Sequence, residues 1–469
     1  MGKRISLNAF EITAPGHQWP GIWRHPESRG HQYNSLDYWV DMAQTLERGK
    51  FDAMFIADVA GLYDVYKNSP DPSLADGMQV PINDPFMQVS AMAAATKNLA
   101  FAVTSSVTLD NPYALARKFS SLDHLTNGRV GWNVVSSYLE SAAKNFGLTS
   151  QIPHDERYEI AEEFMDVAYK LWEGSWEDDA VRIDTEHGVY TDPSKVHPIG
   201  HAGKYFNVPG MHLCEPSAQR TPAIFQAGAS PRGRDFAAKH GEGIFIHAMK
   251  PSLGRKVADD IRDRAERFGR SRDSVKIYTI LSVVVGETDA EAQRKFEDYR
   301  RYASTDGAMA MFGGWTGIDL SKYDPDQVLK YVETDAVRTI LHMVTKADPE
   351  REWTAREVAE YLSTGGMEPV LVGTPERIAD EIERWVDESG TDGINLARSV
   401  TPASFKDFVD MVVPELQKRG RVWKDYEGST LREYLQGPGN SRVQATHPAA
   451  AYTNAYTEGP SAGNPALLV

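Results

Sequence analysis

Short runs of apolar and β-branched residues alternate along this chain with longer stretches in which apolar residues recur every three or four positions. The short runs fall at 4–12, 51–58, 99–107, 129–137, 222–227, 243–248, 276–286 and 393–399. Several are apolar almost without a break, as expected of strands buried on both faces, and intervening helices imply parallel pairing. Leu36, Trp39, Val40, Ala43 and Leu46 form one helical stripe, and Phe405, Phe408, Val412 and Leu416 form another. A capping side chain precedes proline at Asp84-Pro85, Asn111-Pro112, Ser230-Pro231 and Thr374-Pro375, which predicts four helix starts. Asn127-Gly128 predicts a helix stop. Eight strands alternating with helices is the number that closes an α/β fold into a (β/α)8 TIM barrel.

A barrel needs about 250 residues, so a chain of 469 must carry several insertions. A single barrel domain is assigned to 1–436, with insertions near 59–83, 174–221 and 304–370. Within the second, Gly203-Lys-Tyr-Phe-Asn-Val208 reads as a β-hairpin arm over the barrel mouth. Residues 437–469 are rich in Gly, Pro, Ala, Asn and Thr without helical period. They read as a disordered tail or as an extended arm across a neighbouring subunit.

Composition narrows the function by exclusion. A formal charge of −16, from 66 acidic against 50 basic residues, argues against nucleic acid and anionic membranes as partners. The single cysteine, Cys214, excludes an internal disulfide and a cysteine-based zinc site, and fits a reducing cytoplasm. No apolar run approaches the roughly 20 residues that span a bilayer. No dinucleotide fingerprint, phosphate-binding loop, metalloprotease helix or nucleophile elbow is present, and no metal is expected.

Barrel enzymes carry their chemistry at the C-terminal ends of the strands. There the second run ends in Asp58, the third turns polar at Thr104, Ser105 and Ser106, and the fourth offers Asn133, Ser136 and Ser137. Each has a plainer reading as a cap, salt bridge or local backbone bond. The fifth run leads through Gly228 into Ser230-Pro-Arg-Gly-Arg234. This is either a simple strand–turn–helix joint or a phosphate cradle at a helix N-terminus. His154 and Tyr158, four residues apart, share one face of a helix start and suit an anionic aromatic ligand, or else a capped surface helix. Phe10, Trp19, Trp23 and Tyr63 stand near the first two strand ends as candidate apolar walls.

Four stretches then carry a family resemblance: Leu46–Asp52, Ser121–Val135, His154–Tyr158 and Gln226–Ser230. In them the chain resembles the bacterial-luciferase-like flavin-dependent monooxygenases, within the group of nitrilotriacetate, pristinamycin and dibenzothiophene-sulfone monooxygenases. The resemblance implies that Asp58 and Thr104 face an isoalloxazine ring, and that His154, Tyr158 and Ser230 face the phosphate of FMN. It also implies reduced FMN supplied by a separate NAD(P)H-dependent flavin reductase, and the strand-end positions of Phe10, Trp23, Tyr63 and Asn133 make them the expected substrate pocket. Molecular oxygen would be the co-substrate, in a homodimer or homotetramer. Further likeness at Asn8–Glu11, Tyr63–Tyr66, Leu171–Ala180 and Thr446–Tyr452 implies a small organosulfur substrate. Another sulfur or amine compound, or a deazaflavin-dependent dehydrogenase reaction, remains the alternative. No catalytic acid or base is implied.

Overall fold

The computed structural model describes residues 2–329 and 352–455. Its strands are β1 (Ser6–Ile12), β2 (Ala53–Ala57), β3 (Ala100–Ser106) and β4 (Val130–Val135), then β5 (Val181–Asp184), β6 (Val189–Thr191), β7 (His201–Ala202) and β8 (Asn207–Val208). β9 (Ala223–Gln226), β10 (Gly243–Ile246), β11 (Lys276–Val285), β12 (Val370–Gly373) and β13 (Gly393–Ala397) follow. The order β10-β9-β4-β3-β2-β1-β13-β11 closes on itself through β10–β11, and all these pairs are parallel. The eight barrel strands lie within the eight apolar runs. β12 was not anticipated from the sequence; it extends the sheet beside the upper end of β11, from Ser282↔Val370 to Val285↔Gly373. No helix among the described residues is long and apolar enough to cross a membrane.

Pleating sorts the side chains. One set of alternate residues (Leu7, Ala9, Met54, Ile56, Phe101 and Val103) packs against the surrounding helices. The other set (Phe10, Phe55, Ala102, Phe225, Phe245, Tyr278 and Ile280) fills the barrel interior. Phe225 and Phe245 stack there with centroids 5.7 Å apart, and Phe55 meets Phe245 at 4.2 Å. Gly243 leaves the room for this: a Cβ at that position would stand 2.3 Å from the Phe225 ring.

The proline-marked caps form at three of the four predicted places. Asn111, Ser230 and Thr374 each accept backbone N–H bonds at the first turn, and Asn127 ends its helix at φ 52°. At Asp84 the carboxylate caps only a turn, through the Phe86 amide, and the helix begins later, at Val89. The helix Leu36–Arg48 buries Tyr38, Trp39, Met42, Ala43 and Leu46. Leu36 is instead 56% exposed, because the first residue of the helix projects past the strands it covers. The stripe Phe405, Phe408, Val412 and Leu416 is buried, with a π turn at Phe408–Val412. Pro414 sits just beyond that turn, and its missing N–H and its ring disrupt regular α spacing there.

The hairpin β7–β8 does not arch over the barrel mouth. It docks on the flank of the helix His154–Tyr169, where the Glu163 carboxylate accepts the amides of Lys204, Tyr205 and Phe206. Three backbone donors on one carboxylate pin the loop to the helix side. Of the third insertion, residues 330–351 lie outside the described residues, as do 456–469 of the tail. From 437 to 455 the tail packs on its own barrel: His447 is buried and bonds the His240 carbonyl at 2.9 Å, and Tyr452 donates to Asp166.

The N-terminal end of the barrel is plugged by the helix Leu431–Gln436, whose Leu431, Tyr434 and Leu435 join the interior cluster. Arg432 on this helix is fully buried and holds Glu242 through two nitrogens at 2.8 and 3.0 Å. It also donates to the Thr221 carbonyl. Removing one partner of such a pair leaves an uncompensated charge in the interior. Arg432→Leu is therefore expected to lower stability by about 3–5 kcal/mol in urea unfolding. A loss below about 1 kcal/mol would mean that the plug is held by apolar contact alone.

Candidate active site

A cavity of about 250 Å³ opens at the C-terminal rim of the barrel. Its wall is built from three strand ends and two helix starts: Asp58 after β2, Val134–Ser137 at the end of β4, Gln226–Ser230 after β9, and His154, Arg157 and Tyr158 on the helix His154–Tyr169. Four residues singled out in the sequence, Asp58, His154, Tyr158 and Ser230, line this one space.

The turn between β9 and the helix Pro231–His240 is unusually tight. Ser230 accepts the Gly233 amide at 3.0 Å as N-cap, and Gln226 accepts the Gly228 amide at 2.6 Å. A Cβ at Gly233 would lie 2.6 Å from the Tyr158 hydroxyl and 3.0 Å from the Gly228 Cα. Glycine at 233 thus lets the tyrosine reach the helix N-terminus, within hydrogen-bonding reach of Ser230 and Gln226. Burial pushes the Tyr158 phenol up, so it enters the site as a neutral donor. The His154 ring packs edge-on to Tyr158 at 5.2 Å, its Nδ1 2.8 Å from Asp155. Pro153, at the N-cap of that helix, makes no side-chain cap, and His154 faces the cavity.

Asp58 supplies the part of the wall at the end of β2. Burial, together with the carboxylates of Asp84 and Asp110, pushes its pKa up to about 7. Ser137, in the left-handed region at φ 49°, turns its carbonyl to the buried Arg157 and donates to Ser106 Oγ at 2.9 Å. A non-glycine residue held there costs energy that the surrounding contacts must offset.

Thr104 does not line the cavity. Its hydroxyl donates to the Ile56 carbonyl at 2.7 Å and accepts from Asn133 Nδ2 at 2.9 Å, one residue down β4 from Val134. The other end of that amide, Asn133 Oδ1, is buried without a partner. So is Nδ1 of His247, just past β10, whose pKa burial lowers to about 4. Orphaned acceptors and a neutral imidazole beside the rim suit a heterocycle that brings its own N–H groups.

None of the candidate wall residues Phe10, Trp23, Tyr63 and Asn133 touches this cavity directly. Phe10 belongs to the barrel interior, edge-on to His17 at 4.4 Å, and Trp23 is half-buried outside the site. Tyr63 lies one layer behind: its hydroxyl meets that of Tyr138, a cavity residue, at 3.0 Å and donates to Gln79 Oε1 at 2.7 Å. Gln79 itself is held at φ 54°.

Sequence reasoning missed Tyr138 and Arg157, and it passed over Gln226, whose place in the quoted Gln226–Ser230 stretch was the available signal. Val59, Tyr138, Leu139 and Ala142 join the cavity to a second apolar cluster. That cluster includes Met78 from the first insertion and Met309, Phe312, Trp315 and Trp353 from the third. Described residues of the first and third insertions thus pack as one cluster beside the cavity, whereas the hairpin of the second docks on the helix flank. Half-buried Cys214 lies outside the cavity, its thiol pushed up by burial.

Comparison with known proteins agrees with the barrel fold. The family model described as luciferase-like monooxygenase matches residues 14–393. The chain is 56% identical to the dimethyl-sulfide monooxygenase of Hyphomicrobium sulfonivorans, over 97% of this chain and 95% of that one. It is 50% identical to the long-chain alkane monooxygenase of Geobacillus thermodenitrificans, over 97% and 99%. The crystal structure of DmoA from Hyphomicrobium sulfonivorans superposes with a TM-score of 0.92, covering 98% and 97% of the two chains at 55% identity.

One consequence of the cap is independent of any ligand. Ser230→Ala removes the side-chain acceptor of the Gly233 amide and is expected to cost about 0.5–2 kcal/mol of stability, read by thermal unfolding. An unchanged midpoint would assign the serine to the cavity alone.

Proposed function

This chain belongs to the luciferase-like monooxygenase family, and we propose that it is the flavin subunit of a two-component system oxidising dimethyl sulfide with reduced FMN and oxygen. The family is one of flavin-dependent monooxygenases. The observation that carries the finer reading is the convergence of Tyr158, His154, the Ser230-capped helix start and Asp58 on one cavity. A helix N-terminus with neutral hydroxyl donors suits the phosphate of FMN. Asp58 and the Thr104–Asn133 pair would stand at the ring side.

Bound reduced flavin supplies the electrons that activate oxygen. The protein's part is to hold the cofactor and keep water out. The apolar cluster of Met78, Met309, Phe312 and Trp315, which packs on the cavity residues Leu139 and Ala142, would serve that exclusion. One oxygen atom enters a methyl C–H bond of dimethyl sulfide and the other leaves as water; the hydroxymethyl sulfide then separates into methanethiol and formaldehyde. The absence of a dinucleotide fingerprint supports delivery of reduced flavin by a separate NAD(P)H-dependent reductase. Dimethyl sulfide offers almost no hydrogen-bonding handle, so the apolar cluster beside the cavity would select it by size, at about 1–3 kcal/mol per methylene.

The purified protein with FMN, NADH, a generic flavin reductase and dimethyl sulfide is expected to consume oxygen and form methanethiol and formaldehyde in equal amounts. Reduced-FMN oxidation yielding only hydrogen peroxide would remove dimethyl sulfide from the proposal. Turnover of long-chain alkanes or dibutyl sulfide at equal rate would remove the small pocket.

Gly233→Ala, whose added methyl group overlaps the Tyr158 hydroxyl, is expected to weaken reduced-FMN binding about tenfold, equivalent to about 1.4 kcal/mol. Unchanged affinity would place the phosphate elsewhere.

A further inference from the structure

The Asp58 carboxyl is set in the cavity wall at the end of β2, and no ion pair reaches it among the described residues. Its charged surroundings are of its own sign. Asp84 stands in the loop that follows the first insertion, its carboxylate fixed by the Phe86 amide. Asp110 stands in the loop after β3, held by the Ser105 hydroxyl and 3.6 Å from Lys118. The titratable groups elsewhere on the cavity wall are Tyr138, His154, Arg157 and Tyr158. Of these, Arg157 donates to the Ser137 carbonyl and His154 pairs with Asp155. Burial and the two neighbouring carboxylates push Asp58 up to about 7, against the Val59 backbone amide, whose hydrogen bond favours the ionised form.

A reduced flavin ring is rich in electrons and presents carbonyl acceptors along its pyrimidine edge. A carboxylate facing that edge would add a third negative charge to the Asp84–Asp110 pair with water expelled, and it has no hydrogen to donate. A carboxylic acid removes the charge and supplies the donor. We infer that Asp58 meets the cofactor as a neutral acid, donating its hydrogen to an acceptor of the ring, so that reduced flavin binds with uptake of a proton. The inference rests on the reading of this cavity as the reduced-FMN site.

The sign follows from linkage. If only the protonated form binds well, affinity is full below pH 7 and falls as pH rises through the free protein's value. Wild-type protein and Asp58→Asn would be titrated anaerobically with dithionite-reduced FMN from pH 6 to 9, reading tryptophan fluorescence. Calorimetry in two buffers of different ionisation enthalpy at pH 8 counts the protons. The amide keeps a donor and cannot titrate, and Asp58 has no structural ion pair to lose.

The wild-type Kd is expected to climb about tenfold per pH unit above 7 relative to Asp58→Asn, with about one extra proton taken up. Asp58→Asn is expected to match the low-pH wild-type Kd. Using the difference between the two proteins cancels titration of the ligand's own phosphate and ring. Equal slopes in both proteins, or an Asp58→Asn protein that is folded by circular dichroism and binds at no pH, would overturn the neutral acid. Wild-type protein that binds reduced FMN at no pH would overturn the cavity assignment instead.

Discussion

Closure of eight parallel strands imposes the constraint on which everything else here rests. Once β10 has paired with β11 and β1 with β13, no sheet edge is left within the barrel, and every strand points the same way. All strand C-termini then fall on one rim, and the helices that follow them begin at that rim with free N–H groups and positive dipole ends. Asp58, Ser137, His154 and Ser230 meet at one cavity for this reason, although some 170 positions separate the first from the last. An anionic group is favoured beside those helix starts, whereas Asp58, buried at the end of β2 with Asp84 and Asp110 as neighbours, is pushed toward its protonated form.

The two ends of the barrel solve different problems. The N-terminal end must be shut, and the plug helix Leu431–Gln436 does so with apolar residues plus the Arg432–Glu242 pair. The C-terminal end must stay polar enough to recognise a cofactor and dry enough to protect it. There the interior changes from stacked phenylalanines to the Thr104–Asn133 pair and His247, with acceptors left open. Beside it packs a separate apolar cluster rich in methionine and tryptophan, drawn from the segments that follow β2 and β11. The wall between them is Tyr138 and Leu139, whose hydroxyl and apolar surfaces face both.

Much of this was legible locally. Strand positions followed from apolar runs because burial on both faces permits little else, and Asn111, Ser230 and Thr374 cap because their chemistry acts within three residues. The errors have one origin. Leu36 matched a helical stripe yet projects past the sheet, and Asp84-Pro85 matched a cap yet closes only a turn. Phe10, Trp23 and Tyr63 were drawn to the mouth by their position near strand ends, whereas parity, loop path and the Tyr138 layer keep them from it. The hairpin at 201–208 exists, but Glu163 draws it to a helix flank.

By itself, then, the sequence determined the repeating units, the caps, the barrel and the family, since these depend on periodicity and on contacts spanning a few residues. The tertiary structure decided which polar groups share a space, which insertions cover it and which carboxylate sits without a counter-ion. Those outcomes depend on distances between segments that lie tens to hundreds of residues apart. Desolvation and neighbouring charge act through space, so a chain pattern that places Asp58 at a strand end says nothing of Asp84 and Asp110 closing around it.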